Sequence, residues 1–191
     1  ADEVMTGWGR TGTLFACQQA GVTPDILCTA KGLTGGAVPL AATLARAKIF
    51  DAHVSDTRAR MFFHSSSFTA NPVSCAAAAA NIAIWESEDV AARIAAVGEG
   101  MAAGLDRLAD HPALENPRRI GAIAAVDLRV GDSGGYLSGV APALRALFLE
   151  RGLLLRPLGN TIYAMPPFCV SQAQIDRVFD AIGEAADRFG A

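Results

Sequence analysis

Residues 25–36, DILCTAKGLTGG, set an apolar run directly against one lysine and three glycines. Ile26, Leu27 and Cys28 read as a buried strand. Lys31-Gly32 and Gly35-Gly36 end that strand in a turn where backbone can approach a ligand closely. The amine of Lys31 is therefore presented at a strand end. Lysine is rarely buried, and most Lys-Gly pairs are surface loop, so the turn needs a second feature before it carries chemistry.

That feature lies upstream. Asp2 stands 29 residues before Lys31, in the tail of a strand over 1–5 that leads into a glycine-rich loop, 6–13, whose one cation is Arg10. An acid and a lysine at neighbouring strand ends are two parts of a pyridoxal phosphate site. The carboxylate keeps the pyridine nitrogen protonated, and the lysine holds the aldehyde as a Schiff base. Gly7, Gly9 and Gly12 do not make a dinucleotide fingerprint, because the spacing and the strand-to-helix context differ. Arg10 is read as a structural ion pair as readily as a site cation.

Two more stretches carry chemistry. In FFHSSSFTANP, 62–72, three hydroxyls precede Asn71-Pro72, a good N-cap and first-turn pair, so donors gather beside a helix N-terminus that suits a phosphate. In LLLRPLGNTIYAMPP, 153–167, Arg156 ends an apolar strand, and its guanidinium calls for an acid partner or a carboxylate ligand. A salt bridge and a ligand clamp both satisfy the pattern. Tyr163 fits either a substrate-side contact or aromatic core packing.

DEVMTGWGRTG followed by PDILCTAKGLTGG resembles the signature of the class III pyridoxal-phosphate aminotransferases, an α/β family of fold type I. HSSSFTANPVSCAAA and RPLGNTIYAMPP look most like its adenosylmethionine-8-amino-7-oxononanoate branch, which serves biotin synthesis. The four blocks stand in the family's order, and the likeness runs from Asp2 almost to the C-terminus. It implies that Lys31 is the catalytic lysine and that Asp2, Lys31 and Ser66 or Ser67 bind the cofactor. Ser67 aligns best with a Thr or Ser that contacts the cofactor phosphate of the partner subunit. The usual pattern there is Gly-Pro-Thr or Gly-His-Thr, so 65–67 departs from it. It implies further that Arg156 binds the substrate carboxylate, with Tyr163 nearby.

By the same resemblance the protein is a cytoplasmic homodimer with shared active sites. It acts on small molecules, transaminating 8-amino-7-oxononanoate to 7,8-diaminononanoate with S-adenosylmethionine as donor. Acetylornithine and omega-amino acid aminotransferases share the Asp2 and Lys31 blocks; the Arg156 to Pro167 block favours the biotin branch. Family chains are longer, so this one reads as a C-terminal portion. Residues 1–88 correspond to the end of the large cofactor-binding domain and 89–191 to the small α+β domain. On that reading the phosphate-binding turn and the aromatic stacked on the ring lie outside it. Residues 1–191 alone are then expected to bind cofactor poorly, to be inactive and to aggregate through apolar surface.

A formal charge of −3 over 191 residues leaves no electrostatic footprint for nucleic acid or an anionic membrane. No apolar run approaches the ~20 residues of a bilayer span, and no signal peptide is legible. Cys17, Cys28, Cys75 and Cys169 are widely spaced and read as buried thiols. The three histidines lack ligand spacing, so no metal is expected.

Along the chain, short helices are expected over 14–19 and 47–53, with a doubly buried strand over 39–44 between them and a polar loop over 54–61. An alanine-rich helix over 73–85 implies close packing. A helix over 90–108 carries the stripe Val90, Ile94, Val97, Met101, Leu105 and Leu108. A strand over 120–128 and a helix over 140–151, stopped by Gly152, follow. Two strands, 153–156 and 161–165, flank a Gly159-Asn160 turn, and Ser171 and Gln174 box the start of a last helix.

Overall fold

The structure, a computed structural model, describes residues 1–64, 66–131 and 134–191. The chain forms two compact units, Ala1–Val90 and Ala91–Ala191. Among the described residues no helix is long and apolar enough to cross a membrane.

The first unit is built on a three-stranded sheet. Strand β1 (Asp2–Glu3) pairs in parallel with β2 (Ile26–Thr29), and β2 pairs antiparallel with β3 (Ala42–Ala45). Asp2 sits opposite Cys28 and Glu3 opposite Thr29, so β1 and β2 run out side by side just before Lys31. The expected strand over 39–44 is shorter, and it is not buried on both faces: β3 is an edge strand, with Leu44 55% exposed. Residues 14–19 give only a 3-10 turn, Ala16–Gln18, and helix α1 covers Ala47–Asp51. The 54–61 loop contains a 3-10 turn, Arg58–Arg60.

Helix α2 (Pro72–Ser87) begins where Asn71-Pro72 places it, because Pro72 has no amide to leave unsatisfied at the first turn. Only Ser74 and Ala78 of α2 are fully buried. Leu33, Ala78 and Val90 are the fully buried apolar residues described in this unit, beside the buried polar Glu3, Thr11, Thr29, Thr34 and Ser74. Hydrogen bonds therefore do much of the holding here.

The second unit is organised by apolar burial. Helix α3 (Val90–Arg107) carries the expected stripe, with Ile94, Val97, Met101 and Leu105 buried and Leu108 packed at the edge of the core. The sheet is an antiparallel meander of β4 (Leu114–Ile120), β5 (Ile123–Leu128) and β6 (Thr161–Ala164). The strand expected at 120–128 is β5 over its last six residues; Ile120 closes β4, and Gly121, with φ 51°, opens the turn between them. Strand β4 escapes pattern reading because Asn116-Pro117 bulges it and Arg118 and Arg119 give it a polar edge.

Residues 153–157 form no ladder, which corrects the strand expected there. Leu153 and Leu155 pack on the core as extended chain, while Leu154 is 85% exposed. Helix α4 (Ala141–Glu150) turns Leu144, Leu147 and Phe148 inward, and Gly152 follows it with φ 69°. Ser171 and Gln174 form the expected capping box at the head of α5 (Gln172–Phe189), which buries Ile175, Phe179 and Ile182.

Helices α3 and α5 meet where Gly104 lacks a side chain. A Cβ there would lie 2.1 Å from Cδ2 of the buried Phe179 ring. Gly104→Val is expected to lower unfolding free energy by about 3 kcal/mol, measured by urea denaturation followed by circular dichroism. An unchanged midpoint would show that this core can shift to admit the side chain.

Candidate active site

The Lys31 turn is a 3-10 turn, Lys31–Thr34, that follows β2 after one residue. Lys31 itself has φ 44°, a left-handed conformation that costs a non-glycine residue about 1–2 kcal/mol. Strain of this kind persists only where the surroundings impose it. Gly36 N donates to Lys31 O at 3.0 Å, and Thr34 Oγ1 donates to Val38 O at 2.6 Å. On α2, Asn81 Nδ2 donates to Gly32 O at 2.9 Å and to Leu33 O at 3.2 Å.

Trp8 closes over the turn. Its Nε1 donates to Thr29 Oγ1 at 2.9 Å, and a Cβ on Gly32 would stand 2.5 Å from Trp8 Cβ. Only glycine fits beneath that indole. The Trp8 ring meets Trp85 edge-on at 5.8 Å and Phe15 at 6.3 Å.

Lys31 lies on the wall of an open hollow of about 1110 Å³. Val4, Ala30, Val38 and Leu40 make much of the wall apolar, and His64, Phe68, Thr69 and Asn71 line it as well. The space suits a small aromatic ligand. Asp2 is exposed at the neighbouring strand end, and its Oδ1 accepts from the backbone N of Val4, itself a wall residue. Asp2 itself is not among the residues lining the hollow; the exposed Lys31 and the largely apolar wall around it are what fit a pyridine aldehyde.

The loop between Asp2 and β2 is pinned by Glu3, a residue that sequence reasoning passed over. It is 2% exposed, and its carboxylate accepts from Thr6 Oγ1, Ala16 N (3.1 Å) and Cys17 N (2.7 Å). Burial pushes its pKa upward, but these donors outweigh burial and hold it below the ordinary value. Its signal in the sequence was only an acid inside a strand. The Cys17 thiol is pushed up by burial and by Glu3, which keeps it protonated. All four cysteines are free, but Cys75 and Cys169 are exposed, against the expectation of buried thiols. Arg10 is half-buried and engaged by neighbours, and burial pushes its pKa down.

Ser66 and Ser67 are exposed and are not among the residues lining the hollow; Ser65 lies outside the described residues. The helix N-terminus beside them is already satisfied. Asn71 Oδ1 accepts from Val73 N and Ser74 N, and Asn71 O accepts from Cys75 N. A phosphate bound there would depend on the serines themselves rather than on free helix amides.

In the second unit, Arg156 is exposed and has no ion-pair partner among the described residues. Arg107, Arg118, Arg129 and Arg151 each have a carboxylate partner. Exposure removes the cost that made a partner seem necessary, because water solvates the guanidinium. Tyr163 alternates in β6 with the buried Ile162 and Ala164, so it lies on the face away from the core. It is not a core aromatic.

These units match known proteins along nearly their whole length. An adenosylmethionine-8-amino-7-oxononanoate aminotransferase from Methanocaldococcus jannaschii superposes with a TM-score of 0.89 at 32% identity, over 98% of this chain and 45% of that one. The fold is that of the fold type I pyridoxal-phosphate-dependent aminotransferases. Residues 1–186 match the family model of the class-III aminotransferases, and the chain belongs to that family. The protein of the M. jannaschii name from Synechococcus elongatus is 46% identical over 188 residues, 98% of this chain and 43% of that protein. An omega-aminotransferase from Caulobacter vibrioides is 35% identical over 187 residues, 95% of this chain and 41% of that protein. The chain spans less than half the length of these curated relatives.

Glu3 also makes the first unit sensitive to acid. A carboxyl held below its unfolded value stabilises the fold above the ordinary glutamate pKa of 4.5, and that stability is lost as pH falls through the folded value. Glu3→Gln, which loses the charge and turns an NH2 group toward amide donors, is expected to cost about 2 kcal/mol at pH 7. The difference from the unaltered protein should shrink below pH 4.5. Urea denaturation followed by tryptophan fluorescence reads this directly, since both tryptophans, Trp8 and Trp85, lie in the first unit. A difference constant from pH 7 to pH 3 would locate the effect elsewhere.

Proposed function

We propose that this chain supplies the catalytic lysine and part of the substrate site of a pyridoxal-phosphate-dependent aminotransferase of biotin synthesis. Its substrate is 8-amino-7-oxononanoate, its product 7,8-diaminononanoate and its amino donor S-adenosylmethionine. The observation that carries the reading is the Lys31 amine on the wall of an apolar hollow, on imposed left-handed backbone, at a strand end beside that of Asp2.

Pyridoxal phosphate, when bound, supplies an aldehyde for the amine and a ring that takes up electron density from the reacting carbon. The residues do the rest. Lys31 would hold the aldehyde and, once an incoming amine displaced it, would serve as the base that takes a proton from the substrate carbon and returns it. The Asp2 carboxylate keeps the pyridine nitrogen protonated by a charge-assisted hydrogen bond. Ser66 or Ser67 donates to the phosphate, as the family pattern has it for a partner subunit in a homodimer. Arg156, exposed and without an acid partner among the described residues, is available to orient the acceptor's carboxylate. Tyr163, half-buried on the face of its sheet away from the core, would lie on the substrate side. A cytoplasmic setting suits such a biosynthetic step.

The similarity to an omega-aminotransferase keeps a second reading within the same family, with another amino acceptor. Residues 1–88 then still act as part of the cofactor-binding domain and 89–191 as the small domain.

In the full-length protein, freed of added amines, Lys31→Ala is expected to abolish the longer-wavelength band that pyridoxal phosphate gains on linkage to an amine, leaving that of the free aldehyde, and to lower amine transfer about 10²–10⁴-fold. A band that survives the substitution would refute the assignment of Lys31. Arg156→Ala should raise KM for 8-amino-7-oxononanoate about 10–100-fold with a smaller change in kcat. Turnover of acetylornithine but not of 8-amino-7-oxononanoate by the unaltered protein would favour the second reading.

A further inference from the structure

We propose that Trp8 and Asn81 are positioning residues for the Lys31 amine, a role that rests on the reading of Lys31 as the cofactor-bearing lysine. An unconstrained lysine chain explores many rotamers, and about 1 Å of misplacement at a reacting atom can cost about 10²-fold. Fixing the amine therefore begins with fixing its Cα. At φ 44°, that Cα is held in a conformation the residue would leave if it were released.

The restraint is applied on both sides of Lys31. Two residues before it, the buried Thr29 accepts the Trp8 indole N–H at 2.9 Å. One residue after it, Gly32 is pressed by the same side chain, with room for a hydrogen but not for a Cβ. Asn81 then takes the next two carbonyls, Gly32 O and Leu33 O, with one amide nitrogen at 2.9 and 3.2 Å. A carboxamide NH2 has two hydrogens, so one nitrogen can serve two consecutive carbonyls. An aspartate or a leucine of similar size offers neither.

Helix α2 couples the two contacts. Asn81 and Trp85 are four residues apart and share a face. Asn81 reaches the turn, while Trp85 meets the Trp8 ring edge-on at 5.8 Å. Neither Trp8 nor Asn81 is among the residues lining the hollow. Their effect on the amine passes through the backbone.

Asn81→Leu removes both donors at nearly constant volume, and Trp8→Phe removes the indole N–H while keeping an aromatic. In the full-length protein, each should speed deuterium uptake in the peptide covering 30–37 about tenfold or more, with 114–128 unchanged. Titration with pyridoxal phosphate should show the equilibrium constant for the lysine-linked absorbance falling about tenfold. Borohydride reduction should still label Lys31. Unchanged uptake and an unchanged linkage constant in both variants would overturn the proposal. A borohydride label on another lysine in the unaltered protein would refute the reading of Lys31 and with it the role claimed here. If Asn81→Leu strips protection from 72–87 as a whole, Trp8→Phe decides, and wild-type values there overturn the proposal.

Discussion

The contact of the Trp8 side chain with Gly32 is the constraint around which the first unit is arranged. It requires a residue without a side chain at position 32. It anchors the indole on Thr29, at the end of β2, and it leaves Lys31 between two fixed points. Leu33, Ala78 and Val90 are the buried apolar residues described in the unit. Directional bonds add to them: Asn81 to two carbonyls, Thr34 to Val38, and Glu3 to the two amides at the head of the 3-10 turn. A site that must hold one atom accurately gains more from hydrogen bonds of fixed direction than from packing alone.

The second unit solves a different problem by different means. Its meander and three helices surround a continuous apolar cluster, in which Phe148, Phe179, Met101 and Leu128 are among the largest buried side chains. The segment that carries Arg156 hangs on this core by Leu153 and Leu155 and forms no ladder of its own. A charged side chain is thus carried on rigid support while its guanidinium stays in water. The proposed role of Arg156 in orienting a carboxylate would draw on both properties.

The sequence was most legible where burial follows a period. The stripe of α3, the inward face of α4 and the capping box of α5 stand as read, because each depends on residues within a few positions of one another. Strand β4 was not legible, since a bulge at Asn116-Pro117 and two arginines hide its period. The expected strand at 153–156 failed because apolar residues there meet the core as extended chain, and a ladder needs a neighbour that local sequence does not specify. Near the Lys31 turn, the strand over Ile26–Thr29 was readable from its apolar run, while the strand expected over 1–5 is only Asp2–Glu3. Trp8, Asn81 and Glu3 were not readable, because their roles depend on what lies across space: a glycine, two carbonyls and two amides. The N-cap at Asn71 was readable. That it uses the amides beside the serines becomes visible only once its side chain is placed.

Lys31 carries its amine on backbone that glycine would occupy freely. Exchanging the lysine for glycine would relieve about 1 kcal/mol of conformational cost while removing the amine to which the proposed chemistry is assigned. If Lys31 carries that chemistry, selection for a sturdier fold and selection for turnover act in opposite senses on this one codon. A lineage released from the need for catalysis would drift away from lysine here without meeting resistance from the fold.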